Sequence, residues 1–147
     1  MKKSATVLLV VASVILLDQI TKYLIINYLS FYDSIEVLPF LHIVSLRNAG
    51  AAFGSFKSFG SGFFIVISLA AILFVINLLI KRIYNAFGLS LVLGGAIGNL
   101  IDRIRYGNVV DFIDFNIGSF HWPAFNVADS ALTIGITIMF LTSFLKK

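Results

Sequence analysis

Four long runs of apolar residues constrain the fold of this chain more than any other feature. The run from Phe63 to Ile80 contains no charged residue and has about the 18-residue length that a helix needs to cross a bilayer. Similar runs lie at 5–29, 83–105 and 127–145. Hydrophobic residues make up 59% of the sequence and charged residues 12%, where soluble domains carry about a quarter. The sequence therefore predicts one integral membrane domain over 1–147, mainly α-helical, with four transmembrane helices.

Two segments between these runs are too polar or too broken to cross lipid, and we expect them to form outer loops. The first, at approximately 30–62, contains Pro39 followed by a mostly apolar stretch at 40–46 that is typical of one or two short strands. The second, at approximately 106–126, opens with a turn signal and continues into a short extended piece at 109–113. We predict that the first loop forms a small β-containing cap on the outer face.

Basic residues indicate the orientation of the helices. Four spans place both termini on one side, and the pairs Lys2/Lys3, Lys81/Arg82 and Lys146/Lys147 all fall there, which the positive-inside rule assigns to the cytoplasm. All seven acidic residues lie towards the other side. The first apolar run resumes after Asp18, so we interpret it as an uncleaved helix rather than a secretory signal peptide.

Acidic residues from three different helices fall at a similar depth. At 1.5 Å per residue, Asp18, Asp129 and Asp102 lie about 21, 25 and 27 Å from the inner basic residues, in a hydrocarbon layer about 30 Å thick. Charged groups at this depth are costly and usually functional. A polar site is therefore predicted just below the outer surface.

The stretch from Gly98 to Asp129 holds four of the seven acidic residues and supplies the chemistry of this site. The turn after the third helix returns Asp111 to the level of the helix end, where it can face Asp129. Two such carboxylates in a low-dielectric site share a proton and can activate water as acid and base. Cysteine is absent and His42 and His121 lie far apart, so we predict no thiol nucleophile, no metal site and no cofactor.

Spacing alone leaves structural explanations open for several of these residues. Asn126 is a good N-cap with Asp129 at the third helical position, an arrangement that stabilises a helix start without any catalysis. Asp102 has Arg103 and Arg105 as candidate ion-pair partners nearby.

The sequence also predicts the surroundings of several other polar and small residues. Asp114 is expected to be a solvated loop residue. Asp18 and Lys22, four residues apart, are expected to pair on one helical face. Gly94 and Gly98 permit close helix approach and can press the polar face of the third helix against its neighbours.

Five short blocks follow one another along almost the whole chain: Asp18-Gln-Ile-Thr-Lys22, Arg47-Asn48-Ala-Gly-Ala-Ala-Phe53, Gly98-Asn99-Leu-Ile-Asp102-Arg103, Gly107-Asn-Val-Val-Asp111-Phe112 and Pro123-Ala-Phe-Asn126-Val-Ala-Asp129-Ser130. In this order they resemble the lipoprotein signal peptidase (signal peptidase II) family of bacterial membrane aspartic endopeptidases. The resemblance implies four transmembrane helices with a small β-cradle on the outer face.

The resemblance also implies roles for individual residues. Asp111 and Asp129 would form the catalytic pair. Seven further residues would shape the site or hold the substrate backbone: Asn48, Asn99, Asp102, Arg103, Asn126, Asp18 and Lys22. The implied substrates are diacylglyceryl-modified prolipoproteins, cut just before the lipid-bearing cysteine in the bacterial inner membrane. We further expect contact with membrane lipids, no nucleic-acid partner because the basic residues form no stripe, and a monomer.

Two other classes of protein are alternatives. A small proton- or ion-coupled transporter could use the aspartates as relay groups, although the inner half of the predicted bundle offers only scattered Ser, Thr and Asn77 for a path. A purely structural membrane subunit would leave the converging Asp, Asn and Arg blocks unexplained. A Ser–Lys protease based on Lys22 is a third possibility, against which stands its expected pairing with Asp18.

Overall fold

The computed structural model describes residues 2–50, 60–118 and 120–145. The helices are α1 (Lys2–Tyr28), α2 (Gly60–Lys81), α3 (Ala86–Tyr106) and α4 (Val127–Phe144), and the strands are β1 (Ser34–Leu38), β2 (Leu41–Asn48), β3 (Val109–Ile117) and β4 (Phe120–Phe125). All four helices are long and apolar enough to cross a membrane. Part of the first outer loop, at 51–59, and the basic pair Lys146/Lys147 lie outside the described residues. The predicted fold class, four such helices with a small β-cap, is confirmed.

Helix α3 is the central helix and packs against α1, α2 and α4. Its glycines bring the neighbours close. A Cβ on Gly94 would lie 2.8 Å from Cβ of Val14 on α1, and a Cβ on Gly98 would lie 2.6 Å from Oδ2 of Asp18. A Cβ on Gly95 would collide with the backbone oxygen of Ala128 on α4. The predicted role of Gly94 and Gly98 in close helix approach is confirmed, and it places a polar residue of α1 directly against α3.

The β-cap is one antiparallel sheet with the strand order β1-β2-β3-β4. Each outer loop supplies one hairpin, and the two hairpins join because β2 pairs with β3, with Leu46 opposite Asp111. Pro123 lies in β4, which is an edge strand, and edge strands are where proline is tolerated in a sheet. The second loop is therefore more regular than its predicted short extended piece.

The first half of β3 packs the sheet against the helix bundle. Val110 and Phe112 point to one face of the strand and pack against Ile25 of α1. Gly107, with φ of 72°, ends α3 and starts the turn into β3. The predicted solvated position of Asp114 is wrong: Asp114 is only 8% exposed. Side chains alternate along a strand, so Asp114 shares the inward face with Val110 and Phe112.

Candidate active site

Asp111 and Asp129 reach the same cavity from different elements. Asp111 is the third residue of β3, and Asp129 is the third residue of α4. Both line a cavity of about 1070 Å³ between the sheet and the adjoining ends of the helices. Asp111 is 4% exposed, whereas Asp129 is half-buried. We call Asp111 and Asp129 the aspartate pair.

The amide of Asn126 joins the two halves of this pair. Its Oδ1 accepts a hydrogen bond from the backbone N–H of Asp129 at 2.9 Å, and its Nδ2 donates to Oδ1 of Asp111 at 2.8 Å. A backbone N–H can only donate, so the cap fixes the orientation of the amide and directs Nδ2 to Asp111. The N-cap prediction for Asn126 is confirmed, and the capping and site roles are compatible in one side chain.

The amide of Asn99 performs a similar task for Asp129. Its Nδ2 donates to Oδ1 of Asp129 at 2.8 Å, and its Oδ1 accepts from Nζ of Lys22 at 2.9 Å. Because an ammonium group can only donate, Lys22 fixes the orientation of Asn99. Oδ2 of Asp129 receives no hydrogen bond within the part of the chain that the structure describes. That oxygen is available to a molecule in the cavity.

Asn48 and Arg103 complete the cavity on the side of the first outer loop. Asn48 donates from Nδ2 to Oδ2 of Asp111 at 3.1 Å, so both oxygens of Asp111 accept amide hydrogen bonds. Arg103 lies over the ring of Phe64 at 5.5 Å and donates weakly to the backbone oxygen of Gly50 at 3.4 Å. Its guanidinium makes no ion pair with a carboxylate within 2–50, 60–118 and 120–145.

Lys22, Asp18 and Asp102 form a buried ionic group, which we call the lysine triad. Nζ of Lys22 lies 2.9 Å from Oδ2 of Asp18 and 2.9 Å from Oδ2 of Asp102. The predicted pair of Asp18 and Lys22 is confirmed. The alternative that Asp102 pairs with Arg103 or Arg105 is wrong for the described residues, because Asp102 points inward to Lys22 of α1 while neighbouring residues of a helix point elsewhere.

Sequence reasoning missed two contributions to this region. Gln19 donates to Oδ1 of Asp102 at 3.0 Å and to the backbone oxygen of Gly98 at 3.2 Å, and its position beside Asp18 was the available signal. Phe115 and Trp122 form an apolar wall of the cavity. Phe115 follows Asp111 by four residues in a strand, so period-two alternation places both on one face.

Burial raises the pKa of Asp111 to about 7, and the nearby charge of Asp129 acts in the same direction. The hydrogen bonds from Asn48 and Asn126 and the charge of Lys22 oppose this rise, because they stabilise the ionised form. Asp111 is therefore able to hold a proton near neutral pH beside a second carboxylate. Such a pair suits acid–base activation of water. Within the described ranges, His, Asp and Glu form no group of three that could hold a metal ion.

Comparison with known proteins gives a consistent result. A family model described as signal peptidase (SPase) II matches residues 10–145. A lipoprotein signal peptidase of Thermodesulfovibrio yellowstonii is 52% identical over 134 residues, covering 91% of this chain and 90% of that protein. A lipoprotein signal peptidase of Janthinobacterium sp. is 44% identical over 146 residues, covering 94% and 87%. A solved structure described as a bacterial membrane enzyme, determined by the in meso method at 2.3 Å resolution, matches with a TM-score of 0.87 at 41% identity, covering 97% of this chain and 88% of that one.

Proposed function

The chain belongs to the signal peptidase II family, and from this premise we propose that Asp111 and Asp129 are the catalytic pair of a membrane aspartic endopeptidase. Its substrates are diacylglyceryl-modified prolipoproteins, from which it removes the signal peptide by cutting before the lipid-bearing cysteine. The observation that carries the proposal is the meeting of two carboxylates in one cavity, each held by an asparagine amide at 2.8 Å.

The two aspartates have different surroundings, which supports different roles. Asp129 lies in the first turn of α4, where the helix dipole favours a negative charge. Asp111 is the more deeply buried, and its pKa of about 7 favours the protonated form below neutral pH. We assign Asp129 as the base and Asp111 as the acid.

Hydrolysis then follows in two steps. Asp129 takes a proton from a water molecule, whose oxygen attacks the scissile carbonyl carbon while Asp111 gives its proton to the developing oxyanion. A tetrahedral intermediate forms. Its collapse breaks the C–N bond, the leaving nitrogen receives the proton held by Asp129, and the proton of Asp111 is recovered from the intermediate. Water adds across the peptide bond, and the pair returns to its starting state.

The walls of the cavity support a lipid-bearing substrate. Apolar residues from the sheet and from α4 surround the polar centre, among them Phe115, Phe120, Trp122 and Ile134. With both termini in the cytoplasm, the cavity would lie near the outer surface of the inner membrane. A lipid anchored in the outer leaflet would present the adjoining peptide bond at that level. We propose that the enzyme acts there as a monomer in contact with membrane lipids.

The transporter alternative receives no support from the relatives or from the inner half of the bundle. Two of the hydroxyl groups there bond to their own helices: Ser90 donates to the backbone oxygen of Ala86 at 2.6 Å, and Thr142 donates to that of Ile138 at 2.7 Å. Polar groups that bond within one turn of a helix do not form a path across the bilayer.

The test uses the purified protein in lipid with two precursors that differ only in the diacylglyceryl group. The lipidated precursor should lose its signal peptide, and the unlipidated one should stay intact. Asp111→Asn and Asp129→Asn should each lower kcat by about 1000-fold or more in protein that still folds. Asp33→Asn, at an exposed outer position, is the matched control and should retain activity. Full activity in either folded variant of the pair would refute the assignment.

Chelation is a second test. Activity should persist in a strong chelator, because the proposed chemistry uses only two carboxylates and water. If a chelator abolished cleavage and a divalent metal restored it, the protein would be a metallopeptidase.

A further inference from the structure

We propose that the lysine triad is a positioning centre that holds both catalytic aspartates through the backbone directly before each of them. The proposal rests on the proposed function, and it concerns three residues that lie outside the cavity. Among the described residues that line the cavity, Asp18, Lys22 and Asp102 do not appear. They cannot touch a substrate there, so their effect must pass through other groups.

Asp102 holds the strand that carries Asp111. Its Oδ2 accepts a hydrogen bond from the backbone N–H of Val110 at 3.0 Å, and Val110 is the residue before Asp111. Val110 is fully buried. The bond therefore ties the start of β3 to the outer end of α3, one residue away from the reacting carboxyl group.

Asp18 holds the helix that carries Asp129 in the same way. Its Oδ1 accepts a hydrogen bond from the backbone N–H of Ala128 at 2.9 Å, and Ala128 is the residue before Asp129. The missing Cβ of Gly98 provides the room in which the carboxyl group of Asp18 lies. This N–H belongs to the first turn of α4, where backbone donors have no partner within the helix.

Lys22 joins these two supports. Its three ammonium protons have three acceptors, each at 2.9 Å: Oδ2 of Asp18, Oδ2 of Asp102 and Oδ1 of Asn99. The side chain is 2% exposed. A saturated, buried ammonium is not available as a nucleophile or base, which removes the Ser–Lys alternative and leaves a structural junction between α1, α3 and the aspartate pair.

A role in stability alone does not account for this arrangement. Buried ion pairs can often be replaced by neutral groups of similar shape with no loss of stability. Here the two carboxylates bond to equivalent points, the N–H groups that precede the two catalytic residues. Misplacement by about 1 Å can cost about 100-fold in rate, so the expected effect is on kcat.

The test compares Asp102→Leu with Asp102→Asn. Oδ2 of Asp102 accepts from both Val110 and Lys22, and the amide oxygen of Asn can replace it, whereas Leu offers no acceptor. Both variants leave Lys22 paired with Asp18, so no charge is left alone. We expect kcat to fall about 100-fold for Asp102→Leu and less than about 10-fold for Asp102→Asn, with KM within about 2-fold of the unchanged protein in both.

Asp33 supplies the matched control. It also accepts a backbone hydrogen bond, from the N–H of Ser30 at 3.0 Å, but at an exposed position of the outer loop. Asp33→Leu and Asp33→Asn should leave kcat unchanged. Equal losses of kcat in the two Asp102 variants, or a rise in KM without a fall in kcat, would overturn the proposal.

Gly98→Ala decides the question if Asp102→Leu does not fold. The added methyl group must displace Oδ2 of Asp18, which would lie 2.6 Å away, while every ionisable group remains. Ala favours a helix more than Gly does, so we expect a folded protein with kcat lowered about 10-fold. Gly62→Ala, where a Cβ meets nothing within 4 Å, is its control. Unchanged kcat in Gly98→Ala would contradict the proposal.

Failure of the two proposals can be told apart. If Asp129→Asn cleaves normally, the proposed function fails. If Asp129→Asn is inactive while folded Asp102→Leu keeps full kcat, only the positioning role fails.

Discussion

Helices α2 and α3 have nearly the same length, 22 and 21 residues. They differ in position, because α3 lies inside the bundle and α2 lies at its surface. In the most apolar 18-residue window of each helix, 61% of α3 is buried within the protein and 11% of α2. Yet α2 is the more apolar helix, while α3 carries Asn99, Asp102 and Arg103. In a water-soluble protein the more apolar helix would be the more deeply buried one. Lipid tails are as apolar as leucine, so close packing and polar contacts decide which helix lies inside a membrane protein.

Asparagine substitutions on the two helices should show the largest contrast. Asn99→Ala on α3 removes the amide between Lys22 and Asp129, and we expect about a 1000-fold loss of kcat. Asn77→Ala on α2, at an exposed position, should leave kcat unchanged. Cleavage kinetics with the lipidated precursor measure both. Comparable losses in the two variants would end the distinction between the helices.

Glycine substitutions should produce the next largest difference, in stability. Gly95→Leu places a side chain against the backbone of Ala128, and overpacking of this kind costs about 3 kcal/mol. Gly62→Leu on α2, where a Cβ meets nothing within 4 Å, should not lower the melting temperature. Thermal unfolding in lipid or detergent provides the measurement. A stable Gly95→Leu protein would mean that α3 and α4 are not in close contact.

Leucine truncations sharpen the comparison further. Leu89 on α3 is fully buried, and Leu73 on α2 is 67% exposed. Leu89→Ala leaves a cavity and should lower the free energy of unfolding by about 2 kcal/mol. Leu73→Ala exchanges contacts with lipid only, and its effect should be within about 0.5 kcal/mol. Equal costs would show that both helices face similar surroundings.

The smallest expected effect is a shift in the pH dependence of kcat/KM, and only substitutions close to Asp111 should cause it. In the proposed mechanism Asp111 is the protonated acid, so kcat/KM should fall as pH rises through about 7, its pKa in the folded protein. Asn48→Ala removes a hydrogen bond that favours the ionised form and so raises this pKa further. The alkaline limb of the pH–rate profile should then move to higher pH. Asn77→Ala should leave the alkaline limb at the same pH. If the limb moved to lower pH in Asn48→Ala, the roles of acid and base that we assign to Asp111 and Asp129 would be reversed.

The sequence predicted the parts of the molecule that depend on composition and local spacing. The four spans, the N-cap at Asn126 and the pairing of Asp18 with Lys22 all follow from residues near one another in the chain. The partner of Asp102 did not follow, because Lys22 is distant in sequence and nearby arginines offered a local alternative. The burial of Asp114 depends on the pairing of β2 with β3, and nothing local specifies the register between two separate loops.

The position of the Asn126 amide has a consequence for an enzyme that works in bilayers of different thickness. It connects the start of α4 to β3 within a single side chain, and the other bonds described above that hold the two aspartates come from α1, α3 and β2. Bilayers differ in thickness by a few Å, and helices adapt to such differences by tilting. Because α2 contributes no bond to this connection within the described residues, we expect the distance between the two carboxyl groups to depend less on the tilt of α2 than on that of α1, α3 or α4.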